Sequence, residues 1–116
     1  MKKAYHRAPE DLREIAPGRG ACIASDMILV GGARVGYMYR EAPDNDVDSG
    51  WRFFSGEESQ EYVDDAANFA FYDVNTVANY DPEIVPLLGA RTGSAFERDA
   101  SGKFVAIPAP IDPDAN

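Results

Sequence analysis

The stretch "DSGWRFFSGEE", residues 48–58, holds the only tryptophan of the chain and decides most of the predicted fold. Side chains alternate between the two faces of a strand, so Trp51 and Phe53 share one face. Arg52 and Phe54 share the other. We expect a β-strand here, with both phenylalanines in the core. Because Trp51 follows a glycine at the start of this strand, we expect one edge of its ring to lie near the surface.

A helix is predicted directly after this strand. Ser55 and Glu58 stand three residues apart, which is the spacing of a capping box at a helix N-terminus. The pattern therefore predicts a helix over residues 57–68, with its acidic side chains toward solvent.

A hairpin is predicted before the tryptophan stretch. The apolar residues 27–30 lead into Gly31 and Gly32, a dipeptide typical of a tight turn. In the returning strand Tyr37 and Tyr39 fall on the same face. A polar loop of turn-forming residues, "EAPDNDVDSG", then leads to Trp51.

The second half of the chain alternates short elements. "FAFYD" predicts a strand, and Asp73 is a suitable N-cap for a helix over "VNTVANY". Asp81 opens a single turn, and "GSAFER" with "KFVAI" predicts a final hairpin. The fold class is therefore α+β: a single compact domain, mostly antiparallel sheet, with two or three short helices packed on it.

The predicted domain occupies residues 20–107 of the 116. Residues 1–19 form an N-terminal arm with one short helix, "PEDLREIA". Residues 108–116 form a flexible, proline-rich tail. No signal peptide and no apolar run long enough for a bilayer are present, so we expect a cytoplasmic protein without membrane contact.

The charge of the chain is strongly uneven. The net charge is −9, and residues 41–65 carry nine acids against one base, Arg52. This acidic band disfavours nucleic acid as a partner and favours a basic protein. The alternative is that the charge serves solubility alone.

Catalytic and metal-binding patterns are weak. One histidine and one cysteine, Cys22, are too few for a zinc site, and no cofactor motif occurs. The acidic loop fails the calcium-loop pattern, because serines stand where a glycine and a glutamate are required. We favour a non-catalytic protein with no cofactor, and the least favoured alternative is an acid-dependent hydrolase that uses Asp48, Glu57 and Asp73.

Three segments resemble a known family: "VGYMYRE", "DSGWRFFSGEE" and "NYDPEI". The chain is similar, over residues 21–98, to a family of small bacterial domains of unknown function that is grouped with immunity proteins of polymorphic toxin systems. The resemblance implies a compact α+β domain. The positions that carry the family motifs are Gly36, Tyr37, Arg40, Asp48, Gly50, Trp51, Arg52, Phe54, Gly56, Tyr80, Glu97 and Arg98.

These observations together predict a protein-binding module, a monomer or weak dimer whose partner is a basic, toxin-like protein. An exposed tryptophan beside an arginine is typical of an interface hot spot. The candidate contact residues are Asp48, Trp51, Arg52, Glu57 and Glu58. Two alternatives stay open: Arg52 serves as an intramolecular ion-pair partner, or the domain binds a small ligand between helix 57–68 and the sheet.

Overall fold

The computed structural model describes residues 3–110, which form one six-stranded sheet with short helices. The strands are β1 (Ala21–Ser25), β2 (Tyr37–Arg40), β3 (Asp48–Phe54), β4 (Phe69–Asp73), β5 (Ser94–Arg98) and β6 (Phe104–Pro108). The α-helices are α1 (Asp26–Leu29), α2 (Gln60–Val63) and α3 (Val74–Tyr80). Short 3-10 helices cover Pro9–Asp11, Ala66–Asn68 and Pro82–Leu87.

The strand order is β4-β1-β3-β2-β5-β6, which places β3 near the centre of the sheet. Neighbouring strands are antiparallel except β1 and β3, which are parallel. The predicted α+β class with a mostly antiparallel sheet is confirmed.

One face of the sheet carries the core. Trp51 and Phe53 are buried on this face and stack with ring centroids 6.0 Å apart. Helices α1 and α3 supply the opposing side chains, which are Ile28, Leu29, Val74, Val77 and Ala78. We call this the core face and the opposite side the outer face.

Two core expectations need correction. Trp51 is only 1% exposed, and its indole Nε1–H donates a hydrogen bond to the Leu88 carbonyl at 3.2 Å. No ring edge lies near the surface, because Phe96 of the neighbouring hairpin also packs on it. Phe54 was expected in the core but lies on the outer face, half-buried, as alternation from Phe53 requires.

The predicted hairpin at Gly31 and Gly32 is wrong. Residues 26–29 form helix α1 instead, because the Ser25 hydroxyl accepts from the Met27 N–H at 3.1 Å and caps the turn. The N–H groups of residues 30 and 31 both donate to the Asp26 carbonyl. The chain therefore turns helically before it reaches the glycines, and β2 begins only at Tyr37.

The predicted helix over residues 57–68 is also wrong in extent. The Glu58 carboxylate accepts from the Ser55 N–H at 2.8 Å, as in a capping box, but the Ser55 hydroxyl bonds locally to residues 57 and 58. Gly56 has φ +95°, a left-handed turn that stops a helix from starting. Helix α2 begins after Ser59, which is its actual N-cap.

The remaining elements follow the sequence. Asp73 caps α3 by accepting from the Asn75 N–H at 2.8 Å, and Asp81 caps the Pro82–Leu87 turn. Strands β5 and β6 pair as the expected hairpin.

The N-terminal arm packs on the domain. Its predicted helix is reduced to the 3-10 turn Pro9–Asp11, and the Asn75 and Asn79 side chains hydrogen-bond the Arg13 backbone. The domain boundaries at residues 20 and 107 stay predictions. Most of the predicted flexible tail, residues 111–116, lies outside the described residues. Within residues 3–110, none of the helices has the length and apolar character that a bilayer crossing requires.

Candidate partner-binding surface

The outer face of the sheet bears large apolar side chains that solvent can reach. Phe71 on β4 is 66% exposed and Val105 on β6 is 41% exposed. Between them lie half-buried residues of the inner strands, which are Ile23, Tyr37, Tyr39 and Phe54. Apolar side chains that share one solvent-accessible face make that face a candidate interaction site.

Three aromatic rings form the centre of the outer face. Tyr37 is the cross-strand partner of Phe54, and Tyr39 lies two residues further along β2, so all three point to the same side. Their ring centroids are 5.5 to 5.8 Å apart. Phe69 extends the cluster, with its centroid 5.7 Å from that of Phe54. The strand register, more than any loop, thus builds this aromatic cluster.

A groove of about 410 Å³ lies over the aromatic cluster, between helix α2 and the sheet. We call it the aromatic groove. Its lining residues are Tyr37, Tyr39, Phe54, Gly56, Glu58, Gln60, Val63, Glu97 and Pro110. A second groove, about 670 Å³, continues from Tyr39 and Pro110 toward Glu41 and Asp44. The two grooves together follow β2 across the outer face.

Acidic side chains line both grooves. The aromatic groove has Glu58 and Glu97, and the second groove has Glu41 and Asp44. Arg40 is the only base in either lining, and its guanidinium donates to the Ser49 and Ala90 carbonyls at 2.9 and 2.8 Å. The surface therefore joins apolar contact area to negative charge.

Arg52 lies under this surface in a buried ion-pair cluster. Its Nη1 and Nη2 donate to the two Asp48 carboxylate oxygens, each at 2.9 Å, in a bidentate pair. Its Nε donates to Glu41, and Nη2 lies 3.8 Å from an Asp44 oxygen. The Arg52 side chain is only 3% exposed.

The cluster shifts the acidity of its members. Hydrogen bonds from Arg52 hold the pKa of the Asp48 carboxyl far below its ordinary value, against the effect of burial, and backbone N–H groups of residues 44 and 50 add to this. Burial opposes the charge of Arg52, but hydrogen bonds to Asp48 and Glu41 raise its pKa overall. Both groups are charged at any physiological pH.

This geometry supports the ion-pair interpretation of Arg52. All of its donors point to acids of the 41–48 loop or to the Trp51 carbonyl, and Asp48 itself is buried. These residues hold the loop against β3. Trp51 is likewise enclosed by the core. The side chains of Asp48, Trp51 and Arg52 are therefore all buried and are not presented to a partner in this structure.

The two predicted glutamates differ. Glu57 is exposed. Glu58 is half-buried, and although burial alone would raise its pKa, hydrogen bonds from Ser25 and from the Ser55 backbone and hydroxyl lower it. Glu58 thus fixes the turn after β3, while Glu57 is free to meet a partner.

The family-motif glycines shape the backbone beside the grooves. A Cβ at Gly36 would lie 2.0 Å from the Ser55 carbonyl oxygen, and one at Gly50 would lie 2.1 Å from the Glu41 carbonyl oxygen. Gly50 also has φ +88°. The close approaches bring the start of β2 and the 41–50 loop against β3.

Two other motif residues make structural contacts, and one of them, Arg98, forms a second ion-pair cluster near the hairpin. Arg98 contacts Asp81 at 2.6 Å and Glu83 at 2.7 Å, and its guanidinium lies 4.1 Å from the Phe104 ring centroid. Tyr80 holds the N-terminal arm, since its hydroxyl accepts from the Arg7 N–H and donates to the Leu29 carbonyl. These contacts stabilise the fold.

Sequence reasoning missed several residues of the surface. Tyr39 and Val63 line the aromatic groove, as does Pro110 from beyond β6. The shared face of Tyr37 and Tyr39 was visible in the alternation of β2. What the sequence did not indicate is that helices α1 and α3 pack on the other face.

The three acids proposed for hydrolysis are not all brought together, although Asp48 and Asp73 both lie opposite Ala21 on neighbouring strands. Asp48 begins β3 and pairs with Arg52, whereas Glu57 lies beyond the far end of that strand. Asp73 caps α3. Burial raises the pKa of the Cys22 thiol above its ordinary value. Within residues 3–110, no group of three or more His, Cys, Asp or Glu side chains could hold a metal ion.

Fold and surface together define a small α+β domain whose outer face carries aromatic and acidic side chains. The chain belongs to the Immunity protein Imm33 domain family, whose model matches residues 22–108. This match confirms the resemblance to immunity proteins seen in the sequence. Comparison with curated proteins and with solved structures gives no match.

Proposed function

We propose that this chain is a non-catalytic immunity protein that neutralises a toxin with a basic surface by binding it through the outer face of the sheet. The observation that carries the proposal is the aromatic cluster of Tyr37, Tyr39 and Phe54, which lies in a groove lined by acids. Family membership supports a toxin as the partner.

The two features of the surface have different roles in this proposal. Burial of aromatic area supplies affinity, because aromatic side chains remove large apolar surfaces from water. The acids steer a basic partner and speed its association, an effect that salt screens over about 8 to 10 Å. Glu57 and Glu61 are exposed members of the acidic band that can act in this way.

Trp51, Arg52 and Asp48 have an indirect role in the proposal. Trp51 is fixed on the core face, and the Arg52–Asp48 pair holds the loop that carries Glu41 and Asp44. We therefore assign partner contacts to exposed and half-buried side chains of the outer face. The buried residues keep that face in shape.

The test starts from partner capture at low salt from a lysate of the host. The captured protein is purified, its toxicity is measured with and without this chain, and the association rate is followed over a salt series. We expect the double variant Glu57→Lys/Glu61→Lys to associate roughly tenfold more slowly than wild type at low salt. The difference should shrink as salt rises.

A matched control carries the same change of net charge on the arm. Glu10 and Glu14 are exposed, and the arm packs against α3, which lies on the core face. Glu10→Lys/Glu14→Lys should keep the wild-type rate within about twofold, because distant charges are screened. Equal rates for both double variants and for wild type at every salt concentration would reject steering by the acidic band.

A small-ligand or regulatory domain is the second candidate, and the aromatic groove favours it. The volume of about 410 Å³ lies between α2 and the sheet, and such a size suits a small molecule. A thermal-shift screen of metabolites tests this function, since a ligand of the native state raises the unfolding temperature. A compound that stabilises wild type but not Phe54→Leu would support it.

A further inference from the structure

The charge of the aromatic groove is unbalanced. Its nine lining residues include two acids, Glu58 and Glu97, and no base. Glu58 is engaged by the Ser55 and Gly56 N–H groups, at 2.8 and 2.9 Å. Glu97 is exposed, and among residues 3–110 no Lys, Arg or His lies within ion-pair distance of it. The Glu97 carboxylate can therefore pair with a cation that enters the groove.

Glu97 stands directly beside the aromatic cluster. It is the cross-strand partner of Tyr37, and both side chains lie on the outer face. Burial raises the pKa of the Tyr37 hydroxyl, and the negative charge of Glu97 raises it further. The Tyr37 phenol therefore stays neutral, and the Glu97 carboxylate gives this side of the groove a negative potential.

Aromatic rings beside a carboxylate suit an organic cation. Ring faces attract a guanidinium or ammonium through their quadrupole, and the apolar stem of such a side chain packs on the same rings. An anion would meet two carboxylates, and a metal ion would find too few oxygen ligands beside the phenyl rings. A purely apolar side chain would strip water from Glu97 without replacing its interactions.

We infer that the aromatic groove receives the side chain of an arginine or lysine of the partner protein, held over Tyr37, Tyr39 and Phe54 with its charge against Glu97. This inference rests on the proposed function, and it specifies which side chain of the partner the groove recognises. The folded chain already shows the same arrangement once, since Arg98 lies 4.1 Å from the Phe104 ring centroid and pairs with Asp81.

The first experiment uses a peptide and the full chain. Ac-Gly-Arg-Gly-NH₂ is titrated into the protein while the aromatic NMR resonances of Tyr37, Tyr39 and Phe54 are followed. The matched peptide carries citrulline, which has the shape of arginine without its charge. We expect saturable shifts confined to the groove with arginine, and binding at least about fivefold weaker with citrulline.

Two outcomes of this titration would overturn the inference. One is equal binding of the arginine and citrulline peptides, and the other is an absence of groove shifts at millimolar peptide. Free agmatine provides a third arm, because it carries the same guanidinium on a similar apolar stem and should therefore shift the same groove resonances. Binding of the peptide without any binding of agmatine would place the recognition outside the side chain and contradict the inference.

Variants locate the interaction. Glu97→Gln keeps the size of the side chain and should weaken binding of the arginine peptide by about fivefold to tenfold. Glu61→Gln, which lies outside the groove lining, should leave the affinity unchanged. Phe54→Leu, which keeps an apolar side chain but removes the aromatic ring, should weaken binding of the arginine peptide as well. An unchanged unfolding temperature shows that each variant is folded. Equal affinity of Glu97→Gln and wild type would remove the carboxylate from the site.

The two proposals fail separately. If the peptide does not bind but the captured toxin still associates in a manner that depends on Glu57 and Glu61, only the assignment of the groove is lost. If the association rate of the toxin does not depend on Glu57 and Glu61 while the peptide binds with the expected selectivity, the assignment of the groove is supported and steering by the acidic band is rejected.

Discussion

At the scale of single residues, position within the strand decides the role of a side chain more than its chemical type does. Trp51 and Arg52 looked like an interface pair in the sequence, yet the sheet buries one on the core face and the other under an acidic loop. Alternation predicted their opposite directions correctly. Burial could not be predicted, because the groups that enclose them, such as Leu88 and Phe96, are distant in sequence.

The Arg52–Asp48 pair should be essential for stability. Asp48→Ala leaves the Arg52 guanidinium buried without its bidentate partner, and we expect a loss of about 3 to 5 kcal/mol in the free energy of unfolding. Urea denaturation measures this loss. The matched control is Asp46→Ala, an exposed acid in the same loop, which should change stability by less than about 0.5 kcal/mol. Similar values for the two variants would contradict the role given to the pair.

The depressed pKa of Asp48 predicts how stability responds to acid. In the unfolded chain this carboxyl titrates near its ordinary value of about 4, and in the folded chain it titrates far below that. Its contribution is therefore fully present above about pH 4 and is lost as pH falls through the folded pKa. Glu58, whose pKa is also lowered, acts in the same direction.

Unfolding temperatures between pH 7 and pH 2 check this prediction. Wild type should lose stability steeply below about pH 4, and Asp48→Asn should show a shallower decline. Parallel curves for the two proteins would show that Asp48 does not supply the acid sensitivity.

At the scale of elements, local signals predicted most strands and two caps. The strands around Tyr37, Trp51 and the final hairpin follow from alternation, and Asp73 caps α3 as its position indicates. Two predictions were wrong, the hairpin at Gly31 and Gly32 and the extent of the helix over residues 57–68. In both places local backbone preferences override the pattern of residue spacing. The Ser25 hydroxyl starts a helix inside an apolar run, and Gly56 with φ +95° interrupts a capping box. Neither preference is visible from residue spacing alone.

Gly50 tests how tightly the 41–50 loop is packed on β3. A Cβ there would lie 2.1 Å from the Glu41 carbonyl oxygen, and the residue has φ +88°. Gly93 has a similar φ, +97°, but a Cβ would meet no atom within 4 Å. Gly93→Ala should cost about 1 to 2 kcal/mol from backbone strain alone, and Gly50→Ala should cost clearly more. Thermal denaturation separates them, and equal losses would contradict the close packing.

At the scale of the whole molecule, the two faces of the sheet differ in what covers them. The core face takes helices α1 and α3 and provides stability. The outer face carries the acid-lined grooves and the 66% exposed Phe71, and we propose that it binds the toxin. The sequence predicted the fold class, and it shows directly that residues 41–65 are rich in acids. It could not predict which face stays open, because that depends on the order β4-β1-β3-β2-β5-β6 and on long-range packing.

Side-chain footprinting of the complex tests this division most directly. Hydroxyl-radical labelling is compared for the free chain and for the chain bound to its purified partner. We predict that Tyr39, Val63 and Phe71 of the outer-face side lose reactivity on binding, while Tyr5, which is 47% exposed and packs against Tyr72, keeps it. Protection of Tyr5 with unchanged labelling of the outer face would contradict the proposed binding surface.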